Sequence, residues 1–194
     1  MNVLEAVLAR VALDLDALGV GWALVGGFAV SARCEPRFTR DVDVAVVVAD
    51  DAAAEDLVRR LLALGYALET TVEQEYLDRM AAVRLRAPLP GGVLTDVLLA
   101  SSGIEREIVA DADRIEVMAG LELPVATVAH LVVMKLLARD DASRPQDAAD
   151  LVALRQVITQ ADLAHVRRAI ALVESRGYAR ERDLEAALEA WWAT

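Results

Sequence analysis

The stretch that decides the fold reads Leu24-Val25-Gly26-Gly27-Phe28-Ala29-Val30-Ser31. A short interval later it continues Arg37-Phe38-Thr39-Arg40-Asp41-Val42-Asp43-Val44-Ala45-Val46-Val47-Val48. An apolar run between glycines is a buried strand, and the diglycine turns it into a small-residue helix. Asp41 and Asp43 open a second apolar strand, where side chains two apart project to one face. Two carboxylates on one face repel unless a positive group lies between them. A divalent metal shared with substrate phosphates is the usual answer, because Mg2+ is held by one or two carboxylates plus phosphate oxygens. The spacing therefore points to phosphate chemistry.

Other residues extend that reading, each with a plainer alternative beside it. Asp96 sits inside Val93-Leu94-Thr95-Asp96-Val97-Leu98-Leu99, where a charge is expensive unless paired or metal-bound. It either points outward from an alternating strand or adds a third carboxylate to a metal cluster. Gly26 and Gly27 make either a tight turn or a close backbone approach to phosphate at a helix N-terminus. Ser31, one turn on, is a flank or packing residue. Arg37, Thr39 and Arg40 supply charge and a hydroxyl ahead of the acids, as a triphosphate clamp or as a solvated loop. Lys135 and Arg139, spaced i, i+4 in an apolar helix, either snorkel to water or meet a phosphate. Asp147 and Asp150 follow at i, i+3 and either pair with these cations or position Lys135. His130 and His165 share no ligand spacing with each other or with Cys34, so no zinc site is implied. Trp191 and Trp192 read as a packing anchor or an oligomer contact.

The remaining chain supports one substantial core. Hydrophobic residues make up 56% of the 194 and aromatics only 4%, so the core is built from Ala, Val and Leu. The net charge of −11 repels nucleic acid overall and demands a local basic patch for any RNA contact. A single cysteine permits no internal disulfide. The N-terminus lacks a basic leader, and no apolar run approaches the ~18 residues of a membrane span; a cytoplasmic protein is expected. Helical spacing marks Val3 to Leu18, the segment after Asp50-Asp51, a short helix from Ile104 to Ala110, and four helices after Pro124: Val128 to Arg139, Gln146 to Val157, Asp162 to Glu174 and Arg180 to Trp192. Strands are read at Trp22 to Val25, Asp41 to Val48, Ala82 to Arg86, Val93 to Leu99 and Arg114 to Met118, the third and fourth forming a hairpin. The expected organisation is an α/β (α+β) half, residues 1–123, and a helical half, residues 124–194, with the active cleft between them.

Taken together, Gly26-Gly27-x-Ala29, Arg37-x-Thr39-x-Asp41-Val42-Asp43, Asp96, Lys135-x-x-x-Arg139 and Asp147-x-x-Asp150 resemble the DNA polymerase β-type nucleotidyltransferase superfamily. They are most similar to its AbiEii/AbiGii branch, the toxin component of abortive-infection toxin–antitoxin systems. The resemblance spans residues 22 to 154. It implies a nucleotidyltransferase-like mixed sheet flanked by helices and followed by a C-terminal helical bundle. It implies Mg2+ at Asp41, Asp43 and Asp96, nucleotide phosphates at Gly26 and Gly27, and Lys135 on the nucleotide, with Asp147 beside it. Ser31, Arg37, Thr39 and Arg139 complete the nucleotide-binding set. The implied reaction moves a nucleoside monophosphate from a nucleoside triphosphate to an acceptor hydroxyl, on a tRNA end in some toxins, with a cognate antitoxin as partner. An acidic surface also suits a cationic small-molecule acceptor such as an aminoglycoside or lincosamide, and a non-catalytic nucleotide-binding module is the remaining alternative.

Overall fold

The computed structural model describes residues 3–74, 79–139 and 145–193. In chain order the elements are α1 (Val3–Leu18), β1 (Trp22–Val25), α2 (Gly26–Arg33), β2 (Val42–Val46) and α3 (Asp51–Ala63), then β3 (Ala67–Gln74), β4 (Arg79–Arg86) and β5 (Leu94–Leu98). They continue with α4 (Glu105–Ala110), β6 (Asp113–Met118), β7 (Leu121–Val125), α5 (Val128–Ala138), α6 (Pro145–Val157), α7 (Gln160–Ser175) and α8 (Leu184–Ala193). The strands form one seven-stranded mixed sheet in the order β3-β4-β5-β2-β1-β7-β6.

The centre of that sheet follows from composition. All four residues of β1 are buried, and β2 is buried except at Asp43. Strands covered on both faces read as unbroken apolar runs, which is how both are written. β1 pairs antiparallel with β2 and parallel with β7, while β2 pairs parallel with β5. The hairpin of β4 and β5 is antiparallel, with Arg84 opposite Asp96. Its alternation is clean: Val83 and Leu85 are buried, and Arg84 and Arg86 face outward. Helix α5 is apolar nearly all round and packs against α6, α7 and α8, while α2 reaches across to α5 and α6. The helical half is thereby seated against α2, the helix that the diglycine begins.

Three elements depart from the pattern reading. β3 is an edge strand paired only with β4, exposed from Ala67 to Glu73 and broken by two register shifts. With no buried face it has no hydrophobic period to detect. β7 runs through Pro124 to Val125, and Val125 pairs with Leu24. Proline ordinarily marks a strand's limit, so the sheet extends past the point where the helical half was expected to begin. The last helix starts at Leu184, four residues late. Arg180 and Glu181 hold left-handed φ values of 53° and 60°, and Asp183 accepts the Ala186 N–H as a cap.

Candidate active site

The sheet brings the acids together. In the parallel pairing of β2 and β5, Asp43 lies opposite Asp96, and Asp41 precedes Asp43 by the two residues that keep it on the same side. Thr95, Val97 and Leu99 are buried on the opposite face of β5, so Asp96 is turned toward the cleft and not into the core. Burial first, then the neighbouring Asp96, push the Asp43 carboxyl up to about 6, against the pull of Lys135 and a hydrogen bond from the Gly27 N–H. Burial also raises Asp41, with Arg84 opposing and Asp96 adding to the shift.

The diglycine is shaped by this carboxylate. Gly26 has φ +63°, and a Cβ there would lie 2.0 Å from Asp43 Oδ2. A Cβ at Gly27 would meet Thr39 Oγ1 at 2.7 Å. Only residues without side chains let α2 begin against Asp43 and Thr39.

Behind the acids lies a charge network between the two halves of the chain. Lys135 Nζ bonds Asp147 Oδ1 at 2.6 Å and Asp150 Oδ2 at 2.7 Å. Arg37 grips Asp150 with two nitrogens, Nη2 donating to Oδ2 at 2.7 Å and Nε to Oδ1. Asp150 is 0% exposed and Asp147 1%. Buried charges persist when paired and hydrogen-bonded, so Asp150 is a tether holding Lys135 and Arg37 in position. The Arg37 loop is pinned again by Ser31, whose Oγ accepts the Arg37 N–H at 3.3 Å and donates to the Arg37 carbonyl at 3.4 Å.

Two cavities meet at this centre and share Asp43, Asp96, Lys135 and Asp147. The more apolar one, about 150 Å³, is lined also by Val25, Gly26, Leu98, Ser101, Ser102, Leu131, Met134, Leu137, Ala138 and Arg180. The polar one, about 530 Å³, adds Gly27, Arg37, Phe38, Thr39, Arg40, Asp41, Arg84 and Gln146. Of the residues singled out from the sequence, Gly26, Gly27, Arg37, Thr39, Arg40, Asp41, Asp43, Asp96, Lys135 and Asp147 therefore line a cavity. Ser31 supports the loop from behind. Arg139 closes α5 and lines neither cavity.

Arg84 was not singled out from the sequence, yet it holds Asp96 through two bonds, Nε to Oδ1 at 2.7 Å and Nη2 to Oδ2 at 2.6 Å. The alternation of β4 and the hairpin register together carried the signal. Arg180, whose Nη2 donates to the Ser101 carbonyl at 2.7 Å, left none: its neighbour in space is 79 residues away in sequence. Among the described residues no three carboxylate, imidazole or thiol side chains stand close enough to enclose an ion, because Asp96 is turned onto Arg84. Asp41 and Asp43 still fit a metal. Burial raises both carboxyls and Asp96 adds to each shift, and a pair of oxygen donors leaving the remaining positions to phosphate and water is a Mg2+ donor set rather than a closed protein cage.

A mixed sheet carrying same-facing carboxylates beside a diglycine helix start defines the nucleotidyltransferase class. The family model described as "Nucleotidyl transferase AbiEii toxin, Type IV TA system" matches residues 6–193, and the chain belongs to that family. Among solved structures it is similar to an antigenic nucleotidyltransferase-like protein from Paracoccidioides brasiliensis, at 24% identity and TM-score 0.54, over 97% of this chain and 93% of that one. It is similar to the lincosamide antibiotic adenylyltransferase LnuA with lincomycin bound, at 14% identity and TM-score 0.53, over 81% and 100%. ANT(2″)-Ia in complex with adenylyl-2″-tobramycin matches at 16% identity and TM-score 0.53, over 89% and 98%. At such identities the likeness is one of fold. No curated protein matches the chain in sequence.

Proposed function

We propose that this nucleotidyltransferase uses Mg2+ to move a nucleoside monophosphate from a nucleoside triphosphate to a hydroxyl at an RNA end, tRNA being the leading acceptor. In this reading it is the toxin of a cytoplasmic toxin–antitoxin pair, restrained by a cognate antitoxin. The observation that carries the chemistry is the pair Asp41 and Asp43 beside the Gly26–Gly27 start of α2, with Asp96 in register opposite Asp43 on β5. Family membership supports the toxin role, and among the described residues no helix is long and apolar enough to cross a membrane.

Each residue has a task in this reading. Asp41 and Asp43 would hold the ion, with Asp96 available as a third carboxylate. When bound, Mg2+ supplies charge neutralisation at the α-phosphate and the departing pyrophosphate. The bare backbone at Gly26 and Gly27 lets phosphate approach the start of α2. Lys135 and Arg37, fixed by Asp147 and Asp150 on the wall of the polar cavity, would be the cations that meet the triphosphate. The apolar cavity between the sheet and the helices that follow Val125 receives the base; its 150 Å³ is the size of an engineered protein cavity that takes up benzene. The polar cavity admits the acceptor. Thr39, whose Oγ1 donates to the Asp41 carbonyl at 3.4 Å, steadies the acid-bearing turn.

A second reading replaces RNA with a small cationic acceptor. The fold of the lincosamide and aminoglycoside enzymes and the net charge of −11 favour it. Incubation with each α-labelled nucleoside triphosphate and Mg2+, against total tRNA and an aminoglycoside panel, separates the two. Label on RNA supports the toxin; label on a drug moves the protein to the resistance class.

A further inference from the structure

The polar cavity has a rim that the reaction at its floor does not use. Phe38 is 79% exposed, in a chain that is 4% aromatic and whose other described aromatics are all at least partly buried. A lone exposed apolar side chain is ordinary. This one lines the same cavity as Asp41 and Asp43, three residues from Asp41, at most roughly 10 Å of chain. The Arg40 guanidinium stands over its ring, 5.9 Å from the centroid. Arg37, Arg84 and Lys135 in the same cavity are each bound to carboxylates. Arg40 makes no close ion pair among the described residues; its charge acts on the neighbouring Asp41 and stands beside the Phe38 ring.

The ring also stands on a fixed base. Arg37 is anchored to Asp150 and Ser31, and its Nη1 donates to the Phe38 carbonyl at 3.0 Å. An aromatic carried on an anchored backbone, with a guanidinium beside it, binds a nucleobase and its phosphate at lower ordering cost than one on a free loop.

Resting on the nucleotidyl-transfer reading above, we propose that Phe38 and Arg40 form the platform on which the terminal bases of a single-stranded RNA acceptor stack, delivering its 3′ hydroxyl to Asp41, Asp43 and Asp96. A net charge of −11 disfavours broad RNA contact, so a local site for an unpaired end suits this chain better than one for a folded body. The nucleotide's own base lies on the other side of Asp43, in the apolar cavity, and does not compete for Phe38.

The test uses the full chain and a fluorescein-labelled single-stranded RNA oligonucleotide with a free 3′ hydroxyl, followed by anisotropy without nucleotide and then as transfer acceptor. Phe38→Ala is expected to raise the oligonucleotide Kd and acceptor KM roughly 5- to 150-fold, with the nucleotide KM and melting temperature unchanged. Phe38→Trp restores binding, and Arg40→Gln weakens it and flattens its salt dependence. Oligonucleotide binding that is absent in the wild type, or equal in wild type and Phe38→Ala, overturns the platform. A Phe38→Ala effect on the nucleotide KM instead of the acceptor KM also overturns it. Phe38-dependent RNA binding without any transfer would leave the platform standing and remove the transfer reading; transfer to RNA indifferent to Phe38 does the reverse.

Discussion

Replacing Asp150 by alanine tests whether the charge network is a tether. The carboxylate is 0% exposed and accepts from Arg37 Nη2 and Lys135 Nζ, each at 2.7 Å, as well as from Arg37 Nε. Removing one partner of a buried ion pair costs about 3–5 kcal/mol, because the remaining charge is left buried. Here Lys135 keeps Asp147 at 2.6 Å, and the Arg37 side chain is 30% exposed and can turn to water. The lower end of the range, about 3 kcal/mol, is therefore expected. For a chain of this length each kcal/mol moves the melting temperature by roughly 2–4 °C, so Asp150→Ala should melt roughly 6–12 °C below the wild type. Circular dichroism melts at pH 7.5 measure this, with Asp150→Asn, which keeps one acceptor oxygen, falling in between. Because Arg37 and Lys135 lose their anchor together, the nucleotide KM should rise in step. A fall under about 2 °C in the alanine variant, with an unchanged KM, would refute the tether.

Gly26→Ala puts a methyl 2.0 Å from Asp43 Oδ2 at a φ of +63°; transfer should collapse and stability fall by at least ~1–2 kcal/mol, whereas wild-type turnover would mean that Asp43 has room to move. The Asp43 carboxyl is held up at about 6 by burial and Asp96, so its contribution to stability is full below the ordinary value near 3.8 and is lost as pH rises through 6. Asp43→Asn should accordingly melt higher than the wild type at pH 7.5 and converge with it only as pH falls to about 4 and below, in metal-free buffer; a constant gap in melting temperature across that range contradicts the raised carboxyl. Arg84→Ala releases Asp96 from its two hydrogen bonds and leaves the cavity more negative. Calorimetric titration with Mg2+ alone should show tighter binding than in the wild type, and equal affinity would mean that Asp96 does not face the ion.

Much of the site was legible because its parts carry their own local physics. Asp41 and Asp43 sit two apart at the mouth of an apolar strand, the diglycine ends another, and Lys135 interrupts an apolar helix. What the pattern left open was which charges meet. Asp96 alternates out of β5 as an ordinary solvated acid would, and only the parallel register with β2 sets it opposite Asp43. Asp147 and Asp150 are equivalent on paper; in the fold Asp150 is enclosed by Arg37 and Lys135, while Asp147 also lines both cavities. Arg139 shares a helix face with Lys135 by spacing, but α5 ends at Ala138 and Arg139 leaves that face as its cap. β3 escaped because an edge strand exposed on both faces has no period, and β7 because its proline mimics a boundary. These are tertiary facts, set by pairing and packing rather than by local propensity.

The most direct test of the metal-dependent transfer account compares wild type with Asp41→Asn and Asp43→Asn, each checked for a native circular dichroism spectrum. All three are incubated with α-labelled nucleoside triphosphate, tRNA and an aminoglycoside panel, with Mg2+ or with EDTA. Label on one acceptor class is expected with wild type and Mg2+, and none with either variant or with EDTA. Transfer that persists in both folded variants, or in EDTA, would contradict it.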